Sequence, residues 1–190
     1  MSTAVISFAR KDSTRFPKKN MEKLNGFPLI WYTIETMKYI QLNLNLDCYI
    51  LTDWHELETI STVNNIKTIW RDHPKEWDDI RLNKWAHEKI GADNYVLLQP
   101  TNPLRNNKKI CDWIMQSWMC DTLSSFSAYR KNRKEYEMNG AFFYYHKDML
   151  DGSDLVDEES VMFIDTQNID IDTKEDFEKA EGIMRSINGN

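Results

Sequence analysis

Short apolar runs alternate with amphipathic stretches along most of this chain. Thr3–Phe8 (TAVISF) is apolar enough to predict a buried strand, and Pro28–Ile40 carries Ile30, Ile34 and Met37 at helical spacing. The alternation repeats as a strand over Asp47–Thr52, a helix over Trp54–Val63 and a strand over Ile66–Trp70. A helix over Asp79–Ile90 follows, with Leu82, Trp85, Ala86 and Lys89 at helical spacing. Asn94–Gln99 (NYVLLQ) is the clearest buried strand, and Pro100 stops it. Asn107–Met119 predicts a helix that turns Ile110, Trp113, Ile114 and Trp118 inward. Thr122–Tyr129 and Ala141–Tyr145 read as strands on either side of a basic segment, and a last helix runs from Lys174 to about Ile187.

Strands and helices alternating at this spacing predict an α/β three-layer sandwich with a mostly parallel central sheet. A chain of 190 residues fits one domain, 1–190, large enough to bury a sizeable core. In parallel sheets ligands bind beyond the carboxyl ends of the strands, so the loops leaving strands are where chemistry is to be sought. No internal repeat or low-complexity tract interrupts the pattern.

Composition narrows the classes of function. With 6 Gly and 5 Pro the chain has no room for a long flexible linker. A net charge of −6 makes the whole surface a poor partner for nucleic acid, so a phosphate-rich ligand needs a local concentration of cations. No apolar run approaches the roughly 20 residues of a membrane span, and Arg10 arrives too early for a secretory signal. Cys48, Cys111 and Cys120 are odd in number and lack metal-ligand spacing, which fits reduced buried thiols of a cytoplasmic protein. His55, His73, His87 and His146 are scattered without zinc-ligand spacing.

The local concentration of cations lies just after the first strand. Between Arg10 and Lys19 stand five of the chain's 24 basic residues (Arg10, Lys11, Arg15, Lys18 and Lys19) against the single acid Asp12. Ser13 and Thr14 add hydroxyl donors, and their backbone amides can wrap an anion. On charge alone, an anion site and a solvated surface loop are both open. The glycines and terminal Gly-Lys-Ser/Thr of a P-loop are missing.

A pair of acids stands at the other end of the chain. Asp170 and Asp172 flank Ile171 on a predicted strand, which puts both carboxylates on one face about 7 Å apart at the backbone. Such a pair can share a hard divalent cation with phosphate oxygens, or simply decorate an exposed strand. Thr173 then caps the helix with Asp176 at the capping-box position, while Asp165 reads as surface or a supporting group. Gln99 ends a buried strand and can offer its amide at the sheet edge, with Pro100 and Pro103 stiffening the turn. Arg105 reads as a loop anchor in preference to a carboxylate binder. Arg130 and Arg133 either pair with a substrate carboxylate or belong to a solvated loop.

These segments resemble the acylneuraminate cytidylyltransferase family. Ile6–Arg10 through Lys19-Asn20 and Leu24–Ile30 are similar to its N-terminal signature, and Leu97–Arg105 (LLQPTNPLR) to its Leu-Gln-Pro-Thr-Ser-Pro-Leu-Arg motif. Ile169–Thr173 with Asp176 and Phe177 resembles its C-terminal metal motif, and Asn139-Gly140-Ala141 is a weaker match. Ser13–Pro17 (STRFP) also resembles KDO cytidylyltransferases and spore-coat glycosyltransferase-like proteins. The resemblance implies the Rossmann-like nucleotide-diphospho-sugar transferase fold and transfer of CMP from CTP to an acidic sugar hydroxyl, with release of pyrophosphate. It implies Arg10, Lys19 and Asp172 as catalytic groups, with Mg²⁺ on Asp170 and Asp172. Arg10, Ser13, Arg15, Lys19, Asn20 and Arg71 would hold the nucleotide, and Gln99, Arg130, Arg133 and Asn139 the sugar. A homodimer is the implied assembly.

The chain departs from that pattern in three places. Lys11-Asp12 stands where many relatives carry Gly-Gly, and Trp77-Asp78-Asp79-Ile80 replaces small hydroxyl residues near the base. The segment around 120–146, which in relatives supplies the dimer arm and part of the sugar pocket, is shortened. Two rivals therefore stand beside the transferase: a nucleotide-sugar-dependent glycosyltransferase-like protein, and an inactive nucleotide-binding relative.

Overall fold

A computed structural model describes residues 1–12, 15–72, 78–132, 134–165 and 169–188. The first apolar run forms β1 (Thr3–Phe8), and a hairpin of β2 (Lys23–Leu24) and β3 (Phe27–Pro28) turns at Asn25-Gly26, both at positive φ. That hairpin is shorter than any periodicity can register, though Asn-Gly is its usual signal. α1 (Leu29–Leu44), β4 (Asp47–Thr52), α2 (His55–Val63), β5 (Lys67–Trp70), α3 (Asp79–Ile90) and β6 (Asn94–Leu97) follow the predicted alternation. β6 stops two residues before Gln99, which begins the turn instead of ending the strand. After α4 (Asn107–Met119) come β7 (Ser124–Arg130), β8 (Tyr136–His146), β9 (Val161–Ile164) and α5 (Lys174–Asn188).

Seven strands form one sheet in the order β5-β4-β1-β6-β8-β7-β9. β1 runs parallel to β4 and β6, β4 to β5, and β7 to β9, while β8 runs antiparallel to β6 and β7. The sheet is therefore mostly parallel, as the alternating pattern predicts. One face carries Val5, Ile50, Val96 and Phe142 against Ile34 and Met37 of α1 and Ile110 and Ile114 of α4. The other carries Ile6, Leu51, Tyr95 and Tyr145 against Trp85 and Ala86 of α3 and Leu150 of the short 3₁₀ segment Lys147–Asp151. Trp118, predicted to point inward, is 37% exposed at the end of α4.

From β1 the chain crosses to β4 and β5 on one side, then returns to β6 on the other. The carboxyl ends of β1 and β6 thus flank the switch point where a crevice must open. A second irregularity shapes that edge. Phe126 faces Phe143, yet Ala128 faces Met138, so β8 uses five positions where β7 uses two. Gly140 occupies this bulge at φ +66°, a left-handed conformation that costs a side-chain-bearing residue free energy.

Candidate active site

A third, small core assembles the crevice. Ile171 is fully buried with Leu24, Leu29, Phe177 and Ala180, and Phe16, Leu104 and Ile169 pack around them. The cluster joins the cation loop, the turn after β6 and the paired-aspartate segment. Phe16 meets the Phe177 ring edge-on at 5.6 Å, and the Ile171 amide donates to the Thr101 carbonyl at 2.9 Å. The aspartate segment is extended backbone outside the sheet, not the strand its alternation predicts. Alternation survives without a ladder because Ile171 alone needs burial, which leaves Asp170 exposed and Asp172 half-buried. Thr173 and Asp176 form the expected capping box. The Thr173 hydroxyl accepts from the Asp176 amide at 3.2 Å, and the Asp176 carboxylate accepts from the Thr173 amide at 2.9 Å.

Cations converge on this segment from the opposite end of the chain. Arg15 pairs with Asp172 at 2.9 Å, and Lys19 approaches the other oxygen of the same carboxylate at 3.4 Å. Lys19, 7% exposed, also donates to the Ile171 carbonyl. Burial lowers its proton affinity, while the charges of Asp172 and Asp170 oppose that shift. Asp170 is raised above the ordinary carboxylate value, first by desolvation and then by Asp172, against a hydrogen bond from Thr101. Two acids crowded to this degree, with hard oxygen donors and cations beside them, suit a divalent cation shared with phosphate oxygens.

Two hydrogen bonds fasten the loop. Asn20, 7% exposed, donates to the Arg10 carbonyl at 3.0 Å, and the Lys11 amide donates to Asp53 at 2.7 Å. Lys11, standing where a glycine was expected, extends its ammonium over the Trp54 ring at 6.0 Å. Arg71 stacks over Phe8 at 5.8 Å, where burial lowers its proton affinity and Asp53 opposes that shift while Arg10 adds to it.

Behind the crevice Arg105 is an anchor. Its guanidinium donates to the Ala141 carbonyl at 2.7 Å, to the Thr33 hydroxyl at 3.1 Å and to the Gln99 carbonyl. Asn139, 2% exposed, accepts from the Ala141 amide at 3.1 Å and donates to Asp165 at 3.2 Å, so it fastens the bulge from inside. Asp165 is 6% exposed, which replaces its surface reading with a buried supporting role. Gln99 passes directly over Gly140, where a Cβ would stand 2.0 Å from its Oε1.

The resulting cleft holds about 400 Å³, and Arg10, Arg15, Lys19, Gln99, Asp170 and Asp172 line it. Asn20 lines it as well, and Arg71, near enough to Arg10 for their charges to act on each other, stands outside the lining. Arg130 is exposed at the end of β7, with its guanidinium on the Asn132 carbonyl at 3.1 Å. Ser13 and Arg133 lie outside the described residues. Asp79, which the sequence places near the base, lines the cleft too, and two lining residues of α3 escaped the sequence reading, Leu82 and Asn83. Asn83 is 1% exposed, donates to the Asp79 carbonyl at 2.7 Å and accepts from Tyr145 at 2.6 Å. Its signal was available, since an amide falls one turn before Ala86 on the buried face of a helix. Cys48 and Cys111 are buried, but Cys120 is exposed, contrary to the buried-thiol expectation. No described helix is long and apolar enough to cross a membrane.

A family profile described as Cytidylyltransferase matches residues 4–185. The chain belongs to the cytidylyltransferase family. Among curated proteins, none matches it significantly by sequence. Solved structures share its fold at low identity. It is similar to a CMP:2-keto-3-deoxy-manno-octonic acid synthetase complexed with CTP, with a TM-score of 0.78 and 16% identity over 98% of this chain and 100% of that one. A cytidylyltransferase from Leptospira borgpetersenii serovar Hardjo-bovis (strain JB197) superposes with a TM-score of 0.75 and 18% identity, covering 98% and 87% of the two chains. A 4-diphosphocytidyl-2C-methyl-D-erythritol synthase from Anaerococcus prevotii DSM 20548 follows at 0.71 and 13%, covering 97% and 96%. The three-layer, Rossmann-like nucleotidyltransferase fold is thus common to all of them.

Proposed function

We propose that the protein transfers CMP from CTP to a hydroxyl of an acidic sugar and releases pyrophosphate. The observation that supports this most is the meeting of Arg15 and Lys19 with Asp172 in one cleft at the switch point. Cations for a triphosphate and carboxylates for its metal come from opposite ends of the chain and meet only through the fold.

Arg10, Arg15 and Lys19 offset the charge that accumulates on the departing pyrophosphate as the acceptor oxygen bonds to the α-phosphorus. When bound by Asp170 and Asp172, Mg²⁺ supplies charge neutralisation at the α-phosphate and orients the nucleophile. Arg15 and Lys19 exchange Asp172 for phosphate oxygens as the nucleotide enters with its cation. Gln99 places the acceptor, while Asn83, held by Asp79 and Tyr145, stiffens the α3 wall of the cleft. The synthetase named above as complexed with CTP supports cytosine as the base. The proposal includes a homodimer, for which Met162 and Ile164, exposed on β9, offer an apolar surface.

The test is pyrophosphate release from CTP, ATP, GTP and UTP with Mg²⁺ and a panel of acidic sugars. Release with CTP and one acid is expected. Nucleotide binding without release from any combination would leave only an inactive binding protein. Light scattering on the eluted protein reads the dimer.

A further inference from the structure

A second chamber opens off the nucleotide cleft across Asp79, Leu97 and Gln99, which line both. It encloses about 680 Å³, within the range of small-molecule sites. α3 forms one wall, Met138 and Phe143 of β8 another, and residues 153–156 the third. Its surfaces are segregated by chemistry. Ile80, Met138, Phe143 and Leu155 present carbon, suited to the C–H face of a sugar ring, while Asp79 and Asp154 offer acceptors to hydroxyls.

The charges sort further. Asp78 caps α3 by accepting from the Arg81 amide at 2.8 Å, and the Arg81 side chain turns toward the same carboxylate at 3.7 Å. That pair is spent internally. Lys84, exposed on the same wall, has no hydrogen-bond or ion-pair partner among the described residues. Side chains on a helix lean toward its N-terminus. Lys84 stands between this chamber and a neighbouring hollow lined by His87, Glu88 and Asp148, and the N-terminal lean of a helical side chain favours the chamber. One uncommitted cation, two hydroxyl-reading acids and a carbon wall describe a polyhydroxylated acid with a single anionic group. They disfavour a second nucleotide, whose several phosphate charges exceed what one lysine can offset beside Asp79 and Asp154.

We infer that this chamber is the acceptor pocket and that Lys84 reads the acceptor's carboxylate, the role that sequence resemblance assigns to Arg130 and Arg133. The inference rests on the cleft being the CTP site. Lys84 is a specificity-determining residue here, distant from the reacting phosphorus.

Steady-state kinetics of wild type, Lys84→Gln and Arg130→Gln test it, with N-acetylneuraminate, 3-deoxy-manno-octulosonate and the methyl ester of each as probes. Lys84→Gln is expected to raise KM for the responding acid 10- to 100-fold, to change KM for CTP less than twofold, and to abolish the preference for acid over ester. An unchanged acid KM in Lys84→Gln, or the same rise in Arg130→Gln alone, overturns the assignment. Saturation-transfer NMR of each acid with CMP present reads binding without turnover. If an acid binds wild type and not Lys84→Gln while no pyrophosphate is released, the transferase reading fails and the pocket stands. If neither acid binds wild type, the pocket assignment fails whatever CTP does.

Discussion

Gly140→Ala isolates the contact that places Gln99 at the junction of cleft and chamber. The new methyl would sit 2.0 Å from Gln99 Oε1 and 2.7 Å from its Cδ. Ordinary contact begins near 3.4 Å, so the amide must retreat by about 1.4 Å (3.4 − 2.0). The backbone contributes separately, since φ +66° costs an alanine about 1–2 kcal/mol that glycine escapes. Driving Gln99 off its rotamer adds about 0.5–1.5 kcal/mol. A total destabilisation of roughly 1.5–3.5 kcal/mol is expected in urea titrations followed by tryptophan fluorescence. Gln99 borders the reacting groups, so kcat/KM for the acceptor is expected to fall about 10- to 100-fold, or roughly 1.4–2.7 kcal/mol in the transition state. Gln99→Ala gives the decisive comparison, because it removes the obstructing amide. In that background Gly140→Ala should cost only the backbone share and produce no further loss of turnover, a coupling of about 0.5–1.5 kcal/mol. Strict additivity of the two substitutions, in stability and in rate, would refute the proposed placement of Gln99.

Asp172→Asn removes the partner of Arg15 and Lys19. Pyrophosphate release is expected to drop at least 10³-fold, while CTP binding without Mg²⁺, measured calorimetrically, stays equal or tightens; wild-type turnover would sink the metal assignment. Arg105→Ala strands the Gln99 and Ala141 carbonyls, for a loss of about 2–5 kcal/mol; a melting temperature within a degree of wild type would remove its anchoring role. Asp170 is raised above its ordinary value of 3.8, so in the metal-free protein its ionisation opposes folding. That penalty is absent below the unfolded value and complete once pH has risen through the folded one. Asp170→Asn should therefore melt higher than wild type at pH 7 and equally below about pH 4, and a wild-type advantage at pH 7 would contradict the desolvation of the Asp170 carboxylate by the cleft walls. For the same reason Mn²⁺ affinity, followed by electron paramagnetic resonance, should weaken on acidification before pH 3.8 is reached.

Charges in the cleft pair with one another, Arg15 and Lys19 with Asp172. Arg15 is 66% exposed in its pair with Asp172, at 38%, so the pair itself contributes little stability. It does keep two cations aimed into the cleft instead of dispersed in solvent. Exchange of partners then costs less than ordering free side chains would.

Local pattern alone determined the alternation of strands and helices, the mostly parallel sheet, the cation loop after β1 and the capped helix after Asp172. Each of these depends on periodicity, charge density or capping chemistry within a few residues, which a linear chain displays. Tertiary structure decided what depends on distant neighbours. Ile171 reads as strand interior, yet its burial comes from Phe177, Leu24 and Leu29 in a core outside the sheet. Asp165 looks like surface until Asn139 folds over it from a bulge whose register shift no periodicity encodes. Asn83 and Lys84 are neighbours on one helix, but only the placement of α3 against β8 turns one into the cleft and the other along the chamber. Arg15 and Lys19 acquire their meaning from Asp172, more than 150 residues away, because Coulomb attraction acts through space and not along the chain.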